Sequence, residues 1–376
     1  MSVPLGGESG GWNGFARGDC PVAFSVFVEI EELPDDFRDV LSHWMETSGD
    51  CEVAIPQAQG FSGAVVFQVR TEAGTFCLRQ WPEGGLPTAR LQELHRFLRF
   101  LAERGIGEVA VPIRASEGST LVTVKGRVWQ LEPWLPGAAD VSEKPSSGRL
   151  GNVMRTLARL HLASAEYRST AEGAPWFFQS GAAPSPAVLS RLKMIRAWDS
   201  NRVRVAQADI ERLHELGAFA DEVLRLFTQC RRAIEAELSE VRETGFRLQP
   251  CLRDVWEDHV LFDGDEVSGL IDPSAARSEN VATDLSRLLG GLLGDDVGRW
   301  ESALDTYSAV RPLSDRERGL VRVLDRSGVL LSPLRWVEVY RSPLTQQNVE
   351  VALHVMRRMN VLTTRLRKIA EEIGGI

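Results

Sequence analysis

Nowhere in its 376 residues does the sequence hold an uninterrupted apolar run approaching eighteen residues, so no membrane-spanning helix is expected. A basic excess is missing as well. Lysine and arginine number 43 against 52 aspartates and glutamates, a formal charge of −9. Without positive charge to neutralise a phosphate backbone, nucleic acid is excluded as an expected partner. Cysteine is scarce: five residues, at 20, 51, 77, 230 and 251, with no C-x-x-C pair. That odd, scattered set excludes a disulfide framework and a thiolate zinc site, and points to reduced thiols in the cytoplasm. The first twenty residues are glycine-rich and lack the apolar centre of a secretory signal. No internal repeat stands out.

What is present is an ordinary globular mixture, 43% apolar and 25% charged, in a chain too long for one compact core. The acidic balance would suit a cationic small-molecule partner, although most soluble chains lean the same way. S-G-A-V-V-F-Q-V-R (62–70) and T-F-C-L-R-Q (75–80), separated by E-A-G, read as a hairpin. Leu91, Leu94, Leu98 and Leu101 recur at helical spacing, predicting a helix over 88–104 that Gly105 stops. Two more strands, 119–124 and 127–132, flank K-G. P-W-L-P-G at 133–137 then breaks the pattern.

Beyond 147 the periodicity is helical, with an apolar stripe through Leu150, Val153, Met154, Leu157 and Leu160. Two helices are expected across 184–240, a short β-rich island at 258–272, and helices again to the end. The order is an α+β layout: a small β-rich lobe followed by a larger helical lobe. Residues 1–50 are expected to form a partly flexible extension, with D-D-F-R-D-V-L-S-H-W-M (35–45) as a helix that caps the small lobe. The N-lobe is drawn at 51–133 and the C-lobe at 134–376.

The segment that carries chemistry is C-L-R-D-V-W-E-D-H-V-L-F-D-G-D-E-V-S-G-L-I-D-P, residues 251–273. Two short strands joined at D-G-D would fold its ends together and set Asp254 and Asp272 at one cleft. Phosphoryl transfer needs such a pair, one carboxylate to take a proton from the attacking hydroxyl and another to hold a metal on the phosphates.

The segment resembles the catalytic loop of the aminoglycoside phosphotransferase family, the small-molecule branch of the protein-kinase-like fold. That family reads H-G-D-x-x-x-x-N-V-L, a glycine turn, then V-x-G-x-I-D. Here the first aspartate, the V-L pair, the turn glycine, V-S-G-L-I and the last aspartate all match in spacing. The resemblance implies a bilobal protein-kinase-like fold, ATP with Mg²⁺ (or Mn²⁺ or another divalent ion), and a small-molecule acceptor. It makes Asp254 the catalytic base, Asp272 a metal ligand, and Asp284 in A-T-D-L-S-R-L-L-G the brace of the loop. More weakly, G-F-S-G-A-V-V-F-Q-V resembles the nucleotide loop, with Gly60 and Gly63 letting backbone amides approach phosphate. V-W-Q-L-E-P-W-L-P-G resembles the hinge, where the backbone of Glu132 and Trp134 would bind adenine. The likeness spans roughly 55–295.

Three departures fall in the site. Leu252 and Arg253 replace the histidine and glycine before the base. His259 replaces the asparagine that is the second metal ligand, and Mg²⁺ prefers oxygen donors. Either that ligand is lost, or Asp258 supplies an oxygen, or a softer metal binds. Arg79 replaces the strand lysine, with Glu93 as a candidate helix partner. Among ten tryptophans, Trp256 lies inside the catalytic loop, placed either to stack on a substrate or to pack the loop. Two functions are therefore expected to compete: an ATP-dependent small-molecule kinase, and a pseudokinase that binds a nucleotide or other small ligand without turnover.

Overall fold

The computed structural model describes residues 27–29, 35–45, 51–56, 63–139, 145–210, 217–340 and 349–374. Strands β1 (Phe27–Glu29), β2 (Glu52–Pro56), β3 (Val65–Thr71), β4 (Gly74–Gln80), β5 (Val122–Val124) and β6 (Arg127–Pro133) form one antiparallel sheet. Their order is β1-β2-β3-β4-β6-β5. Residues rich in Val and Phe, which favour the pleated surface, make the β3–β4 hairpin. Helix α1 (Asp35–Ser42) buries Phe37, Val40 and Leu41 against Phe67, Leu78, Trp129 and Leu131 of the sheet.

Helix α2 (Thr88–Glu103) buries the predicted leucine stripe. Gly105 ends it at φ +80°, while Ile106 N–H reaches Leu101 O and Gly105 N–H reaches Ala102 O. This pair of bonds satisfies carbonyls that the last helical turn leaves open.

The larger lobe is helical: α3 (Ser147–Ser164), α4 (Pro186–Ala197), α5 (Ser200–Ile210), α6 (Gly217–Glu240), α7 (Ala282–Leu293), α8 (Val297–Ser308), α9 (Asp315–Tyr340) and α10 (Val349–Gly374). Its core joins Val153, Leu157 and Leu160 of α3 to Leu285 and Leu288 of α7, Leu320 and Leu324 of α9, and Leu366 of α10. Each such side chain contributes about 1.5–3 kcal/mol by leaving water. Two expectations need correction. Three helices occupy 184–240, because the chain turns at Trp198–Asp199 between α4 and α5. The β content also exceeds one hairpin. Besides β9 (Val260–Asp263) with β10 (Glu266–Leu270), strands β7 (Ser180–Ala183), β8 (Phe246–Cys251) and β11 (Arg277–Glu279) form a three-stranded sheet ordered β11-β8-β7.

That hairpin ties the two lobes. Leu270 N–H donates to Glu108 O at 2.6 Å, beyond the end of α2. Ala138 and Phe262 exchange backbone bonds at 3.1 and 2.9 Å just past β6. Gly137 permits this approach: its φ is +94°, and a Cβ there would lie 2.6 Å from Phe262 O.

Candidate active site

Strand β8 delivers the loop, and α7 sets its shape. Asp284, in the first turn of α7, accepts the backbone N–H of Leu252 at 2.9 Å and of Arg253 at 2.5 Å. Its Oδ2 also lies 3.0 Å from His161 Nε2, whose Nδ1 is 2.7 Å from Tyr307 Oη. Burial holds His161 below its ordinary pKa. A neutral ring donating to Asp284 and accepting from Tyr307 satisfies all of these groups. His161, Cys251 and Asp284 lie close enough to suggest a metal site. Both imidazole nitrogens are already used, however, so the trio is a brace. Arg253 stands at φ +68°, the left-handed region that suits glycine. The resemblance's glycine is gone, but the backbone it serves persists.

Asp254 follows, 4% exposed. Its Oδ1 meets Arg287 at 3.2 Å, and its Oδ2 has no partner among the described residues. Burial, then the charge of Asp272, raises its pKa well above the ordinary range. His259 donates Nδ1–H to the Asp254 carbonyl at 2.6 Å. Burial favours its neutral form, and its Nε2 is left bare and unpartnered among the described residues. Trp256 is 1% exposed, edge-on to His259, under the guanidinium of Arg358 at 4.4 Å and near that of Arg287 at 5.4 Å. It packs the loop and offers no open face for a substrate.

Asp272 comes to the same cleft at φ +49°, a strained conformation for a non-glycine residue. Arg79 reaches it at 3.1 Å and Glu132 at 3.7 Å, with the Trp81 ring 5.5 Å from the guanidinium. Burial works to raise the Asp272 pKa, but Arg79 and then His259 outweigh it, and the carboxyl stays below its usual value. Glu132 is held in turn by Gln130 Nε2 at 2.8 Å, and Gln130 Oε1 accepts from Trp81 Nε1 and lies 2.9 Å from His95 Nε2.

Glu93 does not complete this set. Its carboxylate accepts from Tyr167 Oη at 2.6 Å and from Thr170 Oγ1 at 2.7 Å, bracing the larger lobe. The arginine's partners are Glu132 and Asp272 instead. Glu132 thus has a side-chain role, and its backbone, expected to bind adenine, is paired with Cys77 of β4. Trp134 N–H is donated to Thr75 O at 3.0 Å and extends the sheet ladder, so it is not free for adenine. Gly63 is at φ +74°, next to Pro82. Gly60 lies outside the described residues.

Arg287 and the acidic face of β6 escaped the sequence reading. Signals existed: Arg287 is three residues after Asp284 on one helix face, and Gln130 and Glu132 alternate onto the face that meets Arg79. Beside Asp254 a cavity of about 70 Å³ is lined by α4, α7, α9 and α10. Thr283 and Arg253 face it too.

No helix among the described residues is long and apolar enough to cross a membrane. The Phosphotransferase enzyme family model matches residues 54–320. A homoserine kinase of Cupriavidus taiwanensis is 28% identical over 244 residues, 61% of this chain and 63% of that protein, a little under two thirds of its length. One of Mesorhizobium japonicum is 24% identical over 70% of this chain and 74% of its own. Among solved structures, an aminopropanol kinase associated with a microcompartment superposes with TM-score 0.63 at 14% identity, over 90% of this chain and 97% of that one. An amicoumacin kinase in complex with AMP-PNP, Ca²⁺ and Ami gives 0.61 at 13% identity, over 89% and 92%. These likenesses show a bilobal kinase fold. With the family match across most of its length, and Asp254 buried within reach of the charge of a half-buried Asp272, the chain belongs to the phosphotransferase enzyme family.

Proposed function

We propose that this protein transfers the γ-phosphoryl group of ATP to a hydroxyl of a small molecule, with residues 51–133 as the nucleotide lobe and 134–376 as the acceptor lobe. The observation that carries it is Asp254: buried, within reach of the charge of Asp272, with an unpartnered Oδ2 among the described residues, and beside a cavity. Asp254 takes the hydroxyl proton as the acceptor oxygen bonds to phosphorus. The bond from the γ-phosphorus to the bridging oxygen breaks, and ADP leaves with the electron pair. Arg79 grips the phosphates, held in aim by Glu132. Gly63, in the left-handed region, lets backbone amides approach them.

A divalent cation suits the donors present. Asp272 offers a carboxylate kept ionised, and His259 a bare, buried Nε2. Such an ion would neutralise charge on the β- and γ-phosphates. The nitrogen donor favours Mn²⁺ or another softer ion over Mg²⁺ at that second position. The homoserine, aminopropanol and amicoumacin kinases support small alcohols as acceptors. A cytoplasmic location, with reduced thiols, suits the four described cysteines, all unpaired.

One observation favours a pseudokinase: the ion pair of Arg79 with Asp272 occupies the carboxylate that a metal needs. Turnover discriminates. Acceptor-dependent ADP release that Asp254→Asn abolishes would establish the kinase. Nucleotide binding in a thermal-shift assay without any ADP release would establish the pseudokinase.

A further inference from the structure

The outer face of α2 carries a charge opposite to that of the chain as a whole. Between α2, residues 114–120 and residues 166–168 lies a cleft of about 690 Å³, inside the range of about 300–1,000 Å³ typical of small-molecule sites. Five arginines (96, 99, 104, 114 and 168) line it against two glutamates, Glu103 and Glu166, in a protein of net charge −9. Two of the five have acidic partners. Arg104 pairs with Glu166, and Arg96 lies 3.4 Å from Glu93 while donating to Arg168 O at 3.0 Å. The other three meet only neutral acceptors among the described residues. Arg99 donates to Pro112 O at 3.2 Å and Arg114 to Gly118 O at 2.8 Å. Arg168 donates to Gln179 Oε1 at 2.6 Å and to the carbonyls of Glu166 and Tyr167. Arg114 and Arg168 are exposed. A concave wall of one sign focuses its field into the cleft.

The floor of the cleft leads inward. Thr120 and His95 line it, and Thr120 Oγ1 lies 2.8 Å from His95 Nδ1. His95 Nε2 lies 2.9 Å from Gln130 Oε1, and Gln130 Nε2 donates to Glu132 Oε2 at 2.8 Å. Glu132 stands 3.7 Å from the guanidinium of Arg79. His95, Gln130, Glu132 and Arg79 are all buried. Burial keeps the imidazole neutral, its pKa lowered to about 4. A carboxamide oxygen only accepts, so His95 carries its proton on Nε2, and its Nδ1 accepts from the Thr120 hydroxyl. The chain of bonds therefore has one direction, and in a low-dielectric interior each member depends on the next. Thr120 is its half-buried outer end.

We infer that the cleft is an effector site for a small molecule bearing two phosphate groups, whose presence is read at Arg79 through Thr120, His95, Gln130 and Glu132. Charge selects the class. Five arginines against two glutamates leave an excess of positive charge that one phosphate monoester, at about −1.5 to −2, does not match and two do. Planar guanidinium forks also suit phosphate oxygens bidentately. The signal is the transfer of one hydrogen bond. A phosphate oxygen that accepts the Thr120 hydroxyl leaves His95 Nδ1 without its donor. The ring turns to regain one and releases Gln130. Glu132, no longer held by the Gln130 amide, pulls harder on Arg79 and draws it from the nucleotide's phosphates, so nucleotide affinity falls. Only the role of Arg79 on the nucleotide rests on the kinase reading.

The test titrates the full chain calorimetrically, at physiological ionic strength, with fructose 1,6-bisphosphate, fructose 6-phosphate and citrate. The bisphosphate should bind at least tenfold more tightly than either of the others. Arg114→Gln and Arg168→Gln, both at exposed positions, should each weaken it about fivefold while leaving AMP-PNP affinity in its absence unchanged. Saturating bisphosphate should raise the Kd for AMP-PNP at least threefold, and by linkage AMP-PNP should weaken the bisphosphate by the same factor. Thr120→Val should keep the bisphosphate bound and abolish that rise, which simple competition for the nucleotide site would not do. Equal binding of all three ligands, or bisphosphate binding that survives both arginine substitutions, overturns the site. A Kd for AMP-PNP that the bisphosphate leaves unchanged, or raises equally in Thr120→Val, overturns the relay. All of these are binding readouts, so an absence of ADP release counts against the kinase reading alone.

Discussion

Arg79 and Asp272, 193 residues apart in the chain, meet at 3.1 Å and join the sheet of the small lobe to the strained turn that follows β10. Glu132 holds the same guanidinium from the other side at 3.7 Å. The arginine is therefore held by two carboxylates, and in the proposed function it grips the phosphates of the nucleotide. Arg79→Met should lower kcat/KM for ATP by about 10²–10³, the scale on which one preorganised charge contributes to transition-state stabilisation. Arg79→Lys should keep part of the rate, since charge survives and the planar fork does not. Steady-state kinetics in ATP reads both.

His259→Asn should shift the metal preference. The imidazole presents a nitrogen where a hard cation wants oxygen. Asparagine restores the oxygen, and the ratio of kcat in Mg²⁺ to kcat in Mn²⁺ should rise severalfold. An unchanged ratio would show that position 259 does not touch the metal.

Arg253 tests the strain in the loop. A non-glycine residue in the left-handed region costs about 1–2 kcal/mol, and Arg253 sits at φ +68°. Arg253→Gly and Arg253→Ala remove the same guanidinium, so their difference isolates the backbone. The glycine variant should be more stable than the alanine one by about 1 kcal/mol in denaturant titrations.

Asp284→Asn should damage both fold and rate. The carboxylate carries two backbone N–H groups and His161 in a fully buried site, and hydrogen bonds to charged groups contribute about 1.5–3 kcal/mol each. A loss of about 2–4 kcal/mol in unfolding free energy is expected, together with a lower kcat, because Asp254 hangs from the same loop.

Activity should fall on the acid side at a higher pH than an ordinary carboxylate would give. Burial and the neighbouring Asp272 raise the Asp254 pKa, and only the ionised form accepts the hydroxyl proton. As pH drops through that raised value the base protonates and kcat/KM declines. An unperturbed aspartate would hold activity down to about pH 4. An acid limb at that ordinary position would remove Asp254 from the role of base.

Local pattern carried the elements whose signal is local. The leucine stripe of α2, the β3–β4 hairpin, and the β9–β10 hairpin with an aspartate before and after it are all readable as periodicity and turn chemistry within some twenty-five residues. The sheet of β7, β8 and β11 was not readable, because its strands are separated by more than sixty residues on one side and its edges are only three or four residues long. Glu93 illustrates the same limit. Helical spacing puts it on the buried face of α2 but says nothing of whether Arg79 or Tyr167 will meet it there.

The sequence by itself determined the order of the β-rich and helical parts and the hairpin that brings Asp254 and Asp272 within reach of each other's charge, since a hairpin's geometry follows from its own residues. Only the tertiary structure decided the rest. It turned Trp256 inward beneath two arginines, gave Arg79 its two acidic partners, and gathered arginines from α4, α7 and α10 around the base inside an acidic chain. Net charge sums over the whole surface, whereas a substrate meets the few charges that packing brings within several ångströms, where their field is strongest.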